Sequence, residues 1–435
     1  MLQRTLRPSN LDLYELNVRP LRVLFVSHFF PPEELSMALL VHELADATAA
    51  RGHEVHVLTG YPNWPAGKPM PPYSAWRQTS EQMGGVTVHR IPFLASPNGS
   101  LWRRLLDFKS FELSLRILGR RLARPDLIHV HVPPNEDALA TAALARHFDC
   151  PFVLHVQDVQ PDGAIEIGSL RSPLAIGVLR RQENRLYERA AHVVTLGNAL
   201  RGRILQKGVA ATKVSLLPNW IDAQALAPMD RMNPLRAEWG IPADRFVALY
   251  AGTFGRVHGT SQLLDAAEQL RTDTQVTFLL VGQGHDFEQN RQSVKSRDLQ
   301  NVIVKEFVPR ARLRELQAIA DVSLVTLRPG LGSISVPSKV LGYMAAGRPV
   351  IGLVDSCSDT AALLRDAGCG IVLRPGDVVG LARELRALAG DPSLGHEWGR
   401  RGRNYVLDNL DTRVVLERGV AMIEGVARRQ AICQW

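Results

Sequence analysis

From Leu21 onward, short apolar runs alternate with longer stretches in which apolar residues recur every three to four positions. RVLFVSHF is followed by MALLVHELADATAARG and then EVHVLTG, and LIHVHV, FVLHVQ and HVVTLG continue the rhythm. After residue 240 it resumes with FVALYAG, VTFLLVG, NVIVKEF, DVSLVTL and PVIGL. Strands that are apolar throughout and separated by helical patterns predict parallel sheets covered on both faces. Between the two series LLPNWIDAQALAPMDRMNP, with three prolines, reads as a linker. A chain of 435 residues exceeds one core and suits two. The pattern predicts an α/β protein of two doubly wound, Rossmann-like domains. Its expected organisation is an extension over 1–20, a first domain over 21–217, a linker region over 218–242, a second domain over 243–405 and a C-terminal helix over 406–435. Ligands of open parallel sheets bind beyond the carboxyl ends of the strands, so two such domains facing one another place the active site in the cleft between them.

Candidate chemistry clusters at those strand ends. In ALYAGTFGRVHGTSQLLDAA, Gly252, Gly255 and Gly259 separate a strand ending at Ala251 from a helix starting near Thr260. Glycines there let backbone N–H groups approach an anion at a helix N-terminus, although a plain βα turn has the same composition. No G-K-[ST] follows, so this is not a P-loop. In LLVGQGHDFE, Gly282 and Gly284 end a strand, but Phe287 stands where the third glycine of a dinucleotide fingerprint belongs. HVHVPPNED and LHVQDVQPD place His129, His131, His155, Gln157 and Asp158 at or just past two strand ends. Alternation puts His129 and His131 on one face, but no third ligand follows at zinc-like spacing, so no metal site is expected and histidines that belong to the core or support other residues are the better account. No two aspartates are separated by a single residue, so the arrangement that holds a divalent cation against a diphosphate is lacking. Positive charge would come instead from Arg256, in the first glycine loop, and from Lys339 in SVPSKV, where Pro337 opens a helix and Ser338 adds a hydroxyl.

The formal net charge of +8 points to an anionic partner: nucleic acid, an anionic membrane surface or a phosphorylated substrate. Much of the excess lies in LWRRLLDFKSFELSLRILGRRLAR, residues 101–124, where Arg103, Arg104, Lys109, Arg116, Arg120, Arg121 and Arg124 face only Asp107 and Glu112. Leu101, Leu105, Phe108, Phe111, Leu115, Leu118 and Leu122 recur at helical spacing, predicting a basic amphipathic helix that either lies on an anionic leaflet or packs its apolar face into the core. The four cysteines have no C-x-x-C spacing, which fits a reducing cytoplasm. No apolar stretch reaches the length of a membrane span, and the first twenty residues lack a signal-peptide core.

With these landmarks in place, the chain resembles the family-4 glycosyltransferases of the GT-B fold. VSHFFPPE, LADATAARGHEVHVLTG, DLIHVHVPP, VSLLPNWID, LLVGQGHDFE and VPSKVLGYMAAGRPVI look like family signatures, in the family's order. HVQDVQPD and PSK are most similar to the branch that builds capsule, exopolysaccharide and O-antigen chains on lipid carriers. The resemblance implies retaining, metal-independent transfer from a nucleotide sugar, with no cofactor beyond that donor. The second domain would hold the donor and the first the acceptor, and the last helix, TRVVLERGVAMIEGVARR, would cross back onto the first domain. The candidate catalytic residues are Gln157, Asp158, Arg256 and Lys339, and the candidate donor contacts are Gly252, Thr253, Gly255, His258, Gly282, Ser338 and Lys339. Glu33, Glu34, His131 and His155 would lie on the acceptor side. The expected partners are a nucleotide sugar, a lipid-linked saccharide and an anionic membrane surface, with no nucleic acid, and the expected place is the cytoplasmic face of the plasma membrane. This sequence departs from the family where the E-x7-E pair falls on Ile334 and Gly342, the donor-loop Arg and Lys on Thr253 and His258, and the acceptor-side histidine on Gln157. A sugar-nucleotide epimerase of the same fold, or a non-catalytic donor-binding scaffold, are the alternatives.

Overall fold

The computed structural model describes residues 19–96, 101–255, 257–273, 275–332 and 338–433. Arg256, Ile334, Pro337 and all but the last two residues of the extension over 1–20 lie outside them. The first sheet contains β1 (Arg22–Ser27), β2 (Glu54–Gly60), β3 (Thr79–Met83), β4 (Val86–Ile91), β5 (Leu127–Val132), β6 (Phe152–Val156), β7 (His192–Thr195) and β8 (Val214–Leu216). The second contains β9 (Phe246–Ala251), β10 (Val276–Val281), β11 (Val302–Lys305), β12 (Val322–Thr326), β13 (Val350–Leu353) and β14 (Gly370–Leu373). Their orders are β3-β4-β2-β1-β5-β6-β7-β8 and β11-β10-β9-β12-β13-β14. All pairings are parallel except β3 with β4. Each sheet is buried on both faces by separate apolar clusters, which is why its strands read as continuous apolar runs. This is the doubly wound, two-domain α/β architecture that the pattern predicts.

Two elements differ from expectation. The polar run TSEQM gives no strand signal, yet it forms edge strand β3, turned back from β4 through Gly84 at φ +59°. The basic helix expected over 101–124 ends at Leu118, followed by a 3₁₀ turn over Gly119–Arg121. There a Cβ on Gly119 would lie 2.8 Å from Leu144 Cδ1, so the chain stops where it wedges against helix Asn135–Phe148. Of the apolar stripe, Phe111 and Leu115 are fully buried in the core and Leu105 is exposed.

The domains are joined at a double crossing. Ile221 N donates to Leu410 O at 3.1 Å and Thr412 N to Ile221 O at 3.1 Å, so the outgoing and returning segments pair as a short bridge. Helix Thr412–Cys433 then lies on the first domain, where Val415, Val420, Ile423 and Val426 share a cluster with Phe25 and Leu44. Each such side chain contributes roughly 1.5–3 kcal/mol when buried, enough to seat the helix there. Across the cleft, Asp359 follows β13 and accepts from Ala199 N at 2.8 Å and Leu200 N at 3.2 Å, in the first turn of helix Asn198–Gln206 after β7. A carboxylate at a helix N-terminus is a favourable pairing. It shows that the carboxyl ends of the two sheets face each other.

Candidate functional site

Strand order reverses between β1 and β5 in the first sheet and between β9 and β12 in the second, and crevices open above such switch points. In the second domain, the strand end at Ala251 is tied to helix Lys339–Ala345. The Tyr343 hydroxyl accepts from Ala251 N at 2.8 Å and donates to Ala251 O at 3.0 Å. Lys339, one helical turn earlier on the same face, is thereby laid over the strand end. Its ammonium donates to Tyr250 Oη at 2.7 Å and sits 3.9 Å from the centre of the Tyr250 ring. Tyr250 in turn donates to Thr253 O at 2.7 Å. A Cβ on Gly252, at φ +151°, would lie 2.8 Å from Lys339 Cε and Nζ, so only glycine leaves the lysine its place. Burial lowers the Lys339 pKa to about 7, and burial together with the lysine's charge lowers His258 to about 3. His258 is therefore neutral and does not replace the charge of the lysine that the family places there. Thr253 and Ser338 are exposed at the rim. The short helix begins at Lys339, two residues after the expected start at Pro337.

Two of the glycines act differently from the expected anion cradle. Gly252 N already donates to Val281 O at 2.9 Å and Gly282 N to Lys305 O at 3.0 Å, so neither amide faces a ligand. Their function is close approach: a Cβ on Gly282 would stand 1.9 Å from the Gly252 carbonyl oxygen. Gly255 packs on His258, whose Nδ1 would lie 3.2 Å from an added Cβ. A Cβ on Gly342 would lie 2.7 Å from Nε2 of the buried Gln317, so a glutamate fits there only by displacing that amide.

In the first domain the switch point carries a group that sequence reasoning missed. His28, just past β1, has Nε2 3.2 Å from Asp107 and Nδ1 3.7 Å from Asp137. Burial opposes its charge, but the two carboxylates beside it outweigh burial and hold the imidazole up at about 9. Burial pushes Asp137 up to about 6 against the pull of His28. The histidine stands in the quoted VSHFFPPE, but its partners lie on two other helices and only the fold brings them together.

Three residues expected on the acceptor side, Glu33, His131 and His155, take buried positions. Glu33 is buried, its carboxylate accepting from Phe30 N, Asn63 N and Trp64 N at 3.4, 3.0 and 2.9 Å, and so joins two loops instead of facing an acceptor. Glu34 beside it is exposed. His131 and His155 are 1% and 0% exposed and lie beneath the crevice floor, out of reach of a substrate. Gln157 is half-buried above them, accepting from Asn219 Nδ2 at 3.0 Å, with half-buried Asp158 next in the chain. No third imidazole follows His129 and His131 at zinc-like spacing in the sequence, but β6 pairs beside β5 and sets His155 opposite His131.

The domains match known families in chain order. Residues 37–220 match the Glycosyl transferase 4-like domain, and residues 232–405 the Glycosyl transferases group 1 domain. WcaI of Escherichia coli (strain K12), a glycosyl transferase assigned to colanic acid biosynthesis, is 28% identical over 422 residues, covering 93% of this chain and 100% of that protein. Among solved structures, sucrose-phosphate synthase from Thermosynechococcus elongatus superposes with a TM-score of 0.72 at 19% identity, over 96% of this chain and 100% of that one. Anabaena HepE in complex with UDP-glucose superposes with a TM-score of 0.67 at 17% identity, over 93% of this chain and 100% of that one. The structural likenesses show the fold, and the domain matches, which between them span both sheets, show the family. The chain belongs to the family-4 glycosyltransferases and has their GT-B fold.

Proposed function

We propose that the chain transfers a sugar from a nucleotide-sugar donor to a lipid-linked saccharide, with retention at the anomeric carbon and without a metal bridging the diphosphate. The observation that carries this reading is Lys339, drawn over Tyr250 and against the glycine turn at Gly252, which in turn packs on the turn at Gly282, at the second domain's switch point. A cation held there is placed to meet the leaving diphosphate, and charge that grows in the transition state strengthens the contact as the bond breaks. HepE, of the same fold, has been solved with UDP-glucose, which supports a nucleotide sugar as donor. The relatives favour neither an epimerase nor a non-catalytic scaffold. A panel of nucleotide sugars assayed with membrane extracts should give one productive donor; neither binding nor turnover with any of them would remove this reading.

The pH profile follows from the lysine. At about 7 in the free protein, Lys339 is charged below neutrality, and above it must take up a proton to meet a diphosphate. kcat/KM for the donor is expected to be level below about pH 7 and to fall by up to about tenfold per unit above it. Lys339→Met should give a low profile without that break. A break retained in the variant would assign it to another group.

Peripheral attachment to the inner face of the plasma membrane is part of the same proposal. Among the described residues no helix is long and apolar enough to cross a membrane. Helix Leu101–Leu118 instead exposes Trp102, Leu106, Leu113 and Ile117 beside exposed Arg103 and Arg104, with Arg120 and Arg121 following. Lys109 and Arg116 are bound to Glu112 at 2.8 and 2.6 Å and contribute less. Each free basic residue near an anionic surface is worth about 1 kcal/mol, so replacing Arg103, Arg104, Arg120 and Arg121 by Glu should abolish cosedimentation with anionic vesicles. Added salt should weaken the wild type. Unchanged cosedimentation of the variant would place the membrane face elsewhere.

A further inference from the structure

We propose that His129, His131 and His155 form a buried binding site for a divalent metal ion of the zinc class, in the first domain and apart from the donor site. Two local facts and one tertiary fact build it. His129 and His131 are two residues apart on β5 and so share a face. β6 pairs with β5 in parallel register and sets His155 directly opposite His131 on that face. The ring centroids are then 4.9 Å apart for His129 and His131, 5.5 Å for His129 and His155, and 4.2 Å for His131 and His155. One ligand nitrogen from each ring lies within 4.8 Å of the other two, and among the described residues no other group of this kind occurs.

The state of the nitrogens points to a ligand. All three side chains are at most 1% exposed. Both ring nitrogens of His129, both of His131 and Nδ1 of His155 are buried without a hydrogen-bond partner. Buried polar atoms are ordinarily paired, because an unpaired one forfeits its hydration without return. The surrounding positions on this face, Phe25, Val153 and Val194, are apolar, and side chains of that kind would fill the histidine positions with no orphaned atoms.

The chemistry selects the class of ion. Three imidazoles without a thiolate suit a borderline cation such as Zn²⁺ and leave a fourth tetrahedral position open. At a Zn–N distance of about 2.0–2.1 Å, tetrahedral nitrogens lie roughly 3.4 Å apart, so the widest pair would close by rotation of the rings. A supporting contact is in place: His155 Nε2 is 3.3 Å from the Gln157 side-chain amide, which also meets Asn219. With the Gln157 and Asn219 amides both turned over, Gln157 Nε2 donates to Asn219 Oδ1, which is otherwise buried without a partner, and Gln157 Oε1 accepts from His155 Nε2–H, leaving the bare Nδ1 for the ion. The ion would then brace the strand ends that carry Gln157 and Asp158 to the crevice.

The test uses the full chain with any affinity tag removed. Elemental analysis should find about one equivalent of metal per chain. Stripping with a chelator should lower the thermal midpoint by several degrees, and adding Zn²⁺ should restore it. Co²⁺ added to the stripped protein should give the visible bands of a four-coordinate site, absent in His131→Leu and His155→Leu. Wild type that retains no metal, gives no cobalt bands and melts at the same temperature with chelator or Zn²⁺ would overturn the proposal, as would a His155→Leu variant that binds Co²⁺ like wild type. If the variants fail to fold, the chelator and Zn²⁺ arms on wild type still decide. Glycosyl transfer enters none of these readouts, so failure of the donor assignment and failure of the metal site are told apart.

Discussion

Lys339→Ala is expected to lower the turnover rate about 100-fold with a much smaller rise in the Michaelis constant. The ammonium is held between the Tyr250 ring and hydroxyl on one side and Gly252 on the other, in a place where burial already disfavours its charge. A cation kept there without a carboxylate partner among the described residues is stabilised most when an anion arrives, and most of all when the diphosphate takes up the electrons of the breaking glycosidic bond. Loss of such a contact appears in the rate more than in ground-state affinity. Tyr250→Phe, which keeps the ring and removes only the hydroxyl, should cost far less. A folded Lys339→Ala enzyme working within a few-fold of wild type would reduce the contact to a structural one.

Gly282→Ala is expected to damage both stability and donor binding. The added methyl would stand 1.9 Å from the Gly252 carbonyl oxygen and 2.9 Å from Phe254 Cε2, so the turns after β9 and β10 must separate. Overpacking of this kind typically costs about 1–3 kcal/mol. Here the displaced turn is also the one against which Lys339 rests, so nucleotide affinity should fall on the order of 10–100-fold, the size of effect that a small misplacement of binding groups produces. Gly177→Ala, where a Cβ meets nothing within 4 Å in the middle of helix Pro173–Arg189, serves as the control and should be neutral or slightly stabilising. Thermal melts and nucleotide calorimetry on both variants check the prediction. Equal melting and equal affinity for Gly282→Ala would show that the two turns need not touch.

The glycine turns also illustrate how far a motif can be read without coordinates. Gly252 and Gly282 are legible as turn residues at strand ends, and they are. Whether their amides meet an anion or a neighbouring carbonyl depends on which strand lies next to which, and the β9–β10 and β10–β11 pairings give both amides to carbonyls. The same holds for the helix over 101–118. Its periodicity is local and correctly marks Phe111 and Leu115 as core, but the outward apolar residues Trp102, Leu106, Leu113 and Ile117 fall outside that stripe. They are identified only once the neighbouring elements are placed. Glu33 is a further case: nothing in FFPPE distinguishes a carboxylate that meets a ligand from one that joins two loops.

The sequence by itself determined the two-domain α/β architecture, most of the strands, and Lys339 and the glycine turns as the residues to examine. These are legible because burial on both faces of a sheet imposes continuous apolar runs, and because turns and helix starts demand particular residues within a few positions. The tertiary structure alone decided three things: Lys339 lies over Tyr250, 89 residues away in the chain; His28 stands between Asp107 and Asp137; and His155 joins His129 and His131. Edge strand β3 belongs with them, since a polar edge carries no apolar period. The physical reason is common to all four. Period and turn chemistry are set by neighbours in sequence, whereas contacts between elements are set by strand order and register, which the burial of the whole core selects and no short stretch of residues encodes.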